Sequence, residues 1–147
     1  MKRAPSLPGK GLAVLRLLAM VILFCGCAGI FKGITYYDPT TYKNLTDLKP
    51  EVLALYETFV GDSVDNGKID AIHLKLAQMY EYEKGKGEKN METTEQIKII
   101  QDMFDDYVKD RLAGTVWNRT HLNNNKQNIS EAFDMAIQTE WLKNKNQ

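Results

Sequence analysis

Thr93 to Leu112, TTEQIKIIQDMFDDYVKDRL, is the stretch whose reading decides the fold. Ile97, Ile100, Phe104, Tyr107, Val108 and Leu112 recur at short helical intervals, and Asp102, Asp105, Asp106 and Lys109 fall between them. An α-helix turns once in about 3.6 residues, so this spacing gathers the apolar side chains into one stripe. Thr93 and Gln96 have the pattern of a capping box, with Thr93 as cap and Gln96 reaching back. Gly114 supplies the stop.

The same period extends to either side. Towards the C-terminus, Ala132, Phe133, Ala136, Ile137 and Trp141 predict a helix from Ile129 to about Leu142, with Asn128 and Glu131 as its capping pair. Gly114 to Gln127 is polar, carries Asn123-Asn124-Asn125 and is expected to be a connection that Trp117 pins to the core. Towards the N-terminus, Ile69, Ile72, Leu76, Met79 and Tyr80 predict a helix from about Lys68 to Glu83. Between it and Thr93, Glu81 to Asn90 is charged, contains Gly85 and Gly87, and is expected to be a mobile connection. Asp38-Pro39 is a helix start, an oxygen acceptor before a proline at the first helical position. It opens a segment from Pro39 to about Leu48. A second segment, Pro50 to Val60, carries Val52, Leu53, Leu55, Tyr56 and Phe59, and Pro50 leaves open two helices or one kinked helix.

No alternating strand pattern and no fixed-period repeat is present. The expectation is an all-α fold, a small antiparallel bundle of about four main helices, following an N-terminal signal or anchor segment. Residues 38–147 suffice for one hydrophobic core. Three parts are therefore expected: 1–26, 27–37 and 38–147.

The N-terminal part has a different character. Leu17 to Cys27, LLAMVILFCGC, is an apolar run preceded by Lys2, Arg3, Lys10 and Arg16. A basic start, a short apolar run and then small residues make a secretory signal peptide. A membrane-spanning helix needs roughly 20 apolar residues, more than this run contains. Leu23-Phe24-Cys25-Gly26-Cys27 resembles the lipobox of bacterial lipoproteins. The resemblance implies cleavage after Gly26, diacylglycerol on the Cys27 sulfur (lipidation, with palmitate-type chains), and residence in the cell envelope. Ala28, where an Asp resembles an inner-membrane retention signal, favours the periplasmic face of the outer membrane. Gly26-Cys27-Ala28 also suits ordinary signal peptidase, and Gly11 to Phe31 is long enough for an uncleaved anchor, although Arg16 interrupts it. Ala28 to Tyr37 is expected to be a tether. Its Ile30, Phe31, Tyr36 and Tyr37 either pack on the body or rest at a membrane interface.

Charge and cysteine content narrow the chemistry. Lys+Arg and Asp+Glu balance at 19 each, and the four basic residues of the signal account for the balance, so the remainder is acidic. Nucleic acid calls for basic clusters and is not an expected partner. Cys25 and Cys27 are the only cysteines, so a body beginning after them has neither thiol nor disulfide. In Asp62 to His73, DSVDNGKIDAIH, the residues Asp62, Asn66 and Asp70 resemble ligand positions of an EF-hand calcium loop. Val64 and His73 stand where two further oxygen donors are needed, so an interhelical turn is the expected reading and no metal is assigned. His73 and His121 lack a second ligand at helical spacing. Asp102, Asp106 and Asp110 line one face as an acid/base pair would, or as a wet helix face does. Asn44, Asn118 and Asn128 head sequons, read here as capping and loop chemistry. No nucleophile elbow and no phosphate loop is present.

The sequence thus predicts a non-enzymatic, membrane-anchored envelope lipoprotein without cofactor. Its helical domain would meet an envelope protein or its own copy. The alternative is a periplasmic ligand-binding or weakly catalytic domain with a pocket lined by Tyr80, Tyr107, Trp117 and Trp141.

Overall fold

The computed structural model describes residues 36–114 and 116–145. Cys27, the signal run and most of the tether lie outside the described residues. Four helices fold against one another: α1 Pro39–Glu57, α2 Asn66–Lys84, α3 Met91–Leu112 and α4 Arg119–Lys145. A 3₁₀ turn, Thr58–Val60, follows α1, and another, Glu88–Asn90, precedes α3. Each helix packs on its neighbours in sequence, and α4 returns to close the ring on α1. The described part is a small antiparallel all-α bundle. None of the described helices is long and apolar enough to cross a membrane.

Asp38 caps α1, its carboxylate accepting from the Thr40 amide at 2.8 Å, with Pro39 in the first turn. The helix continues through Pro50, which settles the question its sequence left open. Pro50 is exposed, so the carbonyl that loses its donor lies towards water, where it can be hydrated. The buried residues Leu45, Leu48, Val52 and Leu55 keep one stripe on both sides of it.

Three helix starts differ from the expectation. α2 begins at Asn66, with Asp65 as cap accepting from the Lys68 amide at 3.0 Å. α3 begins at Met91, and Thr93 is buried inside it. Gln96 does not reach back; its side-chain amide donates to Thr139 on α4 at 2.9 Å. The capping-box pattern was answered by tertiary contacts. The largest correction is at α4. The Asn-rich stretch, expected to be a connection, is helix from Arg119 onward, capped by Asn118, whose side chain accepts from the His121 amide at 2.9 Å. Asn128 and Glu131 lie well inside α4, where Glu131 accepts from Gln127. Asparagine disfavours a helix interior by only about 0.7 kcal/mol relative to Ala. Leu122, Asn125 and Ile129 extend the buried stripe of Phe133 and Ala136 back by about three turns, which outweighs that.

Trp117, 2% exposed, fastens the start of α4. Its ring lies within 6.1 Å of those of Tyr56, Phe59 and Tyr107. Its indole donates to Asp110 at 2.9 Å, and its backbone amide to the Phe59 carbonyl at 3.3 Å. Arg111 donates to the carbonyls of Phe59 and Gly61 at 2.9 and 2.6 Å. The unravelling end of α1 thereby finds donors for two of its orphan carbonyls.

Asn118→Ala is expected to lower unfolding stability by about 1 kcal/mol, the usual loss on removing a cap. Asn128→Ala, in the exposed helix interior, is expected not to lower it and to raise it by at most about 0.7 kcal/mol. Urea titrations followed by circular dichroism measure both. Equal losses would show that the helix does not begin at Arg119.

Candidate functional site

The stripes that form the core do not end in apolar residues. On α1, Leu45 is preceded at four by Thr41. On α2, Leu76 and Met79 are followed at four by Glu83. Before Ile97 on α3 stand Thr93 and Asn90, and after Ala136 on α4 stand Glu140 and Lys143. All these polar residues are buried, Glu140 and Thr93 completely. The antiparallel topology brings the first turns of α1 and α3 and the last turns of α2 and α4 to the same end. The polar continuations therefore meet in one layer.

The layer has two halves. Lys143 donates to Glu140 at 2.7 Å, to Thr93 at 2.7 Å and to Asn90 at 2.8 Å. Those three bonds use all the donors an ammonium has. The other oxygen of Glu140 accepts from the backbone amide of Asp38 at 2.7 Å, fastening the entry of α1 to α4. In the second half, Lys86 donates to both oxygens of Glu83 at 2.8 and 2.9 Å, and it meets Asp38 at 2.7 Å. Thr41 donates to Glu83 and accepts from Lys86 at 2.7 Å. Asn90 bridges the halves, donating to Glu83 while accepting from Lys143. Gly87, at φ +81°, makes the turn that returns Asn90 beneath Glu83.

Burial pushes the Asp38 carboxyl up, but hydrogen bonds from Lys86, Tyr82 and the Thr40 amide outweigh it and hold the group well below the usual carboxylate range. Burial likewise pulls the Lys86 ammonium down, and hydrogen bonds to Asp38 and Glu83 reverse that and raise it above its ordinary value of 10.5. Both shifts favour the charged pair.

The remaining candidates do not converge. Asp62 and Asp70 are exposed, and Asn66 is the first residue of α2, so the calcium-loop lookalike is a capped helix start. No group of three or more His, Cys, Asp or Glu among the described residues is arranged to hold a metal ion. His73 meets Asp105 at 3.4 Å, and His121 meets Asp110 at 3.2 Å. Asp102 pairs with Lys98. Trp117 and Tyr107 share an aromatic cluster, whereas Trp141 lies tilted against Tyr42, roughly 33 Å further along α4 by the helical rise. Those two tryptophans do not line one pocket. The concavities found are open grooves. One, about 380 Å³, lies between α1 and α2 and includes Thr40, Glu51, Lys75 and Tyr82. The other, about 500 Å³, lies between α2 and α3 and includes His73, Phe104 and Leu112.

Reasoning from sequence missed Glu83, Lys86, Asn90, Glu140 and Lys143, because charge near a helix end reads as solvated. The signal was their phase. Each of Glu83, Asn90, Glu140 and Lys143 continues an apolar stripe at three or four, where a solvent-facing charge would not fall.

No family model matches the chain, and neither a curated protein nor a solved structure is significantly similar to it.

A carboxyl held low in the folded state stabilises it above the unfolded pKa, and that contribution drains away as the pH falls through the folded value. Wild-type stability is therefore expected to fall more steeply below about pH 4 than that of Asp38→Asn. Urea unfolding at a series of acid pH values compares the slopes. Parallel curves would show that Asp38 is not engaged as described.

Proposed function

We propose that this chain is a lipid-anchored envelope protein whose helical body serves as a binding module and not as a catalyst. Cys27 carries the anchor, and residues 28–37 join it to the bundle. The periplasmic face of the outer membrane is the favoured location. An envelope protein, or a second copy of the chain, is the expected partner.

The observation that carries this reading is the contrast within one chain. A basic start, an apolar run and Leu23-Phe24-Cys25-Gly26-Cys27 precede a body that holds no cysteine and is built around one apolar core. The buried charges of that body answer one another, and in the open groove between α1 and α2 the charges Glu51 and Lys75 pair with each other. Two or more acyl chains would hold the body on a bilayer, since each buried methylene contributes about 0.8 kcal/mol.

The test is metabolic labelling of bacteria expressing the full chain with a radioactive fatty acid, comparing wild type with Cys27→Ala. Label and membrane association are expected for the wild type, and neither for the variant. Label retained by Cys27→Ala, or an unlabelled wild type, would overturn the assignment.

A further inference from the structure

We propose that the charged end of the bundle is a membrane-contact surface, so that the body stands with this end on the lipid headgroups. This deepens the anchored reading above and rests on it. The end in question is where α1 and α3 begin and where α2 and α4 finish.

Three observations support a lipid surface as occupant. The first is where the exposed aromatic side chains lie. Among the described residues, the exposed aromatics are Tyr36 at 84%, Tyr82 at 46% and Trp141 at 43%. All three belong to this end: Tyr36 just before α1, Tyr82 in the last turn of α2 and Trp141 in the last turns of α4. Exposed aliphatic side chains occur at both ends, Met91 and Leu142 here and Leu112 and Val116 at the other, so it is the aromatics that distinguish this one. At the Trp117 end, by contrast, Trp117 and its aromatic neighbours are packed inward. Tyrosine and tryptophan are the side chains that favour the membrane interface, their rings at headgroup depth and their polar atoms towards water.

The second is the mounting of these rings. Trp141 leans on Tyr42 with ring centres 6.4 Å apart, and Tyr42 on Tyr37 at 6.1 Å. The Tyr82 hydroxyl donates to Asp38 at 2.7 Å, and the Lys86 ammonium lies 4.4 Å from the Tyr82 ring centre. The aromatic set is thus fixed to the same layer that fastens the helices. Rigid amphipathic rings lose little conformational freedom on contact.

The third is chain length. Tyr36 stands nine residues after Cys27, and nine residues span at most about 30 Å when fully extended. α4 with its 27 residues is about 40 Å long. An anchor at Cys27 keeps the charged end near the bilayer and leaves the Trp117 end free to face outward. Exposed Lys84 and Lys89 are offset by exposed Glu81, Glu88 and Glu92, so the contact rests on aromatic insertion and not on attraction to anionic lipid.

The two tryptophans make the test direct, because Trp141 and Trp117 report opposite ends. The full chain, purified from membranes, is reconstituted into phosphatidylcholine vesicles whose acyl chains carry bromine, a short-range quencher of indole emission. Emission is expected to be lower than in unbrominated vesicles, with the difference lost in Trp141→Phe and unchanged at high salt. Protein that floats with the vesicles yet shows no quenching would overturn the contact, as would quenching that survives in Trp141→Phe. Protein that fails to float would overturn it too. Mass analysis of Cys27 in the same sample separates the two readings. A missing acyl group with Trp141 quenched refutes the lipid anchor alone, and an acylated Cys27 with Trp141 unquenched refutes the contact alone.

Discussion

Lys143 sits almost wholly out of water at the end of α4, with each of its three donors engaged. Taking an ammonium and a carboxylate out of water costs several kcal/mol each, and only good geometry with further hydrogen bonds recovers it. The partners come from separate stretches of chain. Asn90 and Thr93 belong to the start of α3, Glu140 to α4, and the Asp38 amide that Glu140 accepts to the start of α1. Lys86, Glu83 and Thr41 extend the same layer to α2. The arrangement is a penalty against alternatives. An apolar stripe tolerates a helix sliding by one turn, since leucine packs on leucine either way. A slide that separates Lys143 from its acceptors leaves a buried charge uncompensated.

The two ends of the bundle consequently behave differently. At the Trp117 end, aromatic rings fill the space and Arg111 serves the free carbonyls after α1. Among the described residues the buried Tyr56 hydroxyl there has no hydrogen-bond partner, and burial raises its pKa above the ordinary 10.0, which keeps it neutral. At the charged end, ion pairs do the fastening, and exposed aromatics crown them. Tyr36 is exposed while Tyr37 packs on Tyr42, so the body takes up only the second of these neighbouring tyrosines.

The fold was legible because apolar period is a local property. Ile97, Ile100 and Phe104 announce a helix without reference to anything distant, and the same holds for Ile69, Ile72 and Leu76. Pro50 was not decidable, because the tolerance of a proline depends on whether its face is wet. Thr93 was misread for a related reason. A threonine three residues before a glutamine looks like a cap, but Lys143, 50 residues further on, is what Thr93 meets. The Asn-rich start of α4 looked like a loop since its propensity is poor and its anchors, Leu122 and Asn125, are sparse. The charged layer was hidden by the habit of assigning charge to solvent. The proposed anchor at Cys27 and a partner are not legible from the buried residues of the bundle.

Unfolding of Lys143→Met in urea tests the central claim most directly, with Glu140→Gln/Lys143→Met as its companion. If the buried layer constrains the fold as described, the single substitution lowers stability by about 3–5 kcal/mol, and the pair recovers part of that loss because the stranded carboxylate is gone. A loss of less than about 1 kcal/mol for Lys143→Met, the size expected of a surface ion pair, would contradict the account.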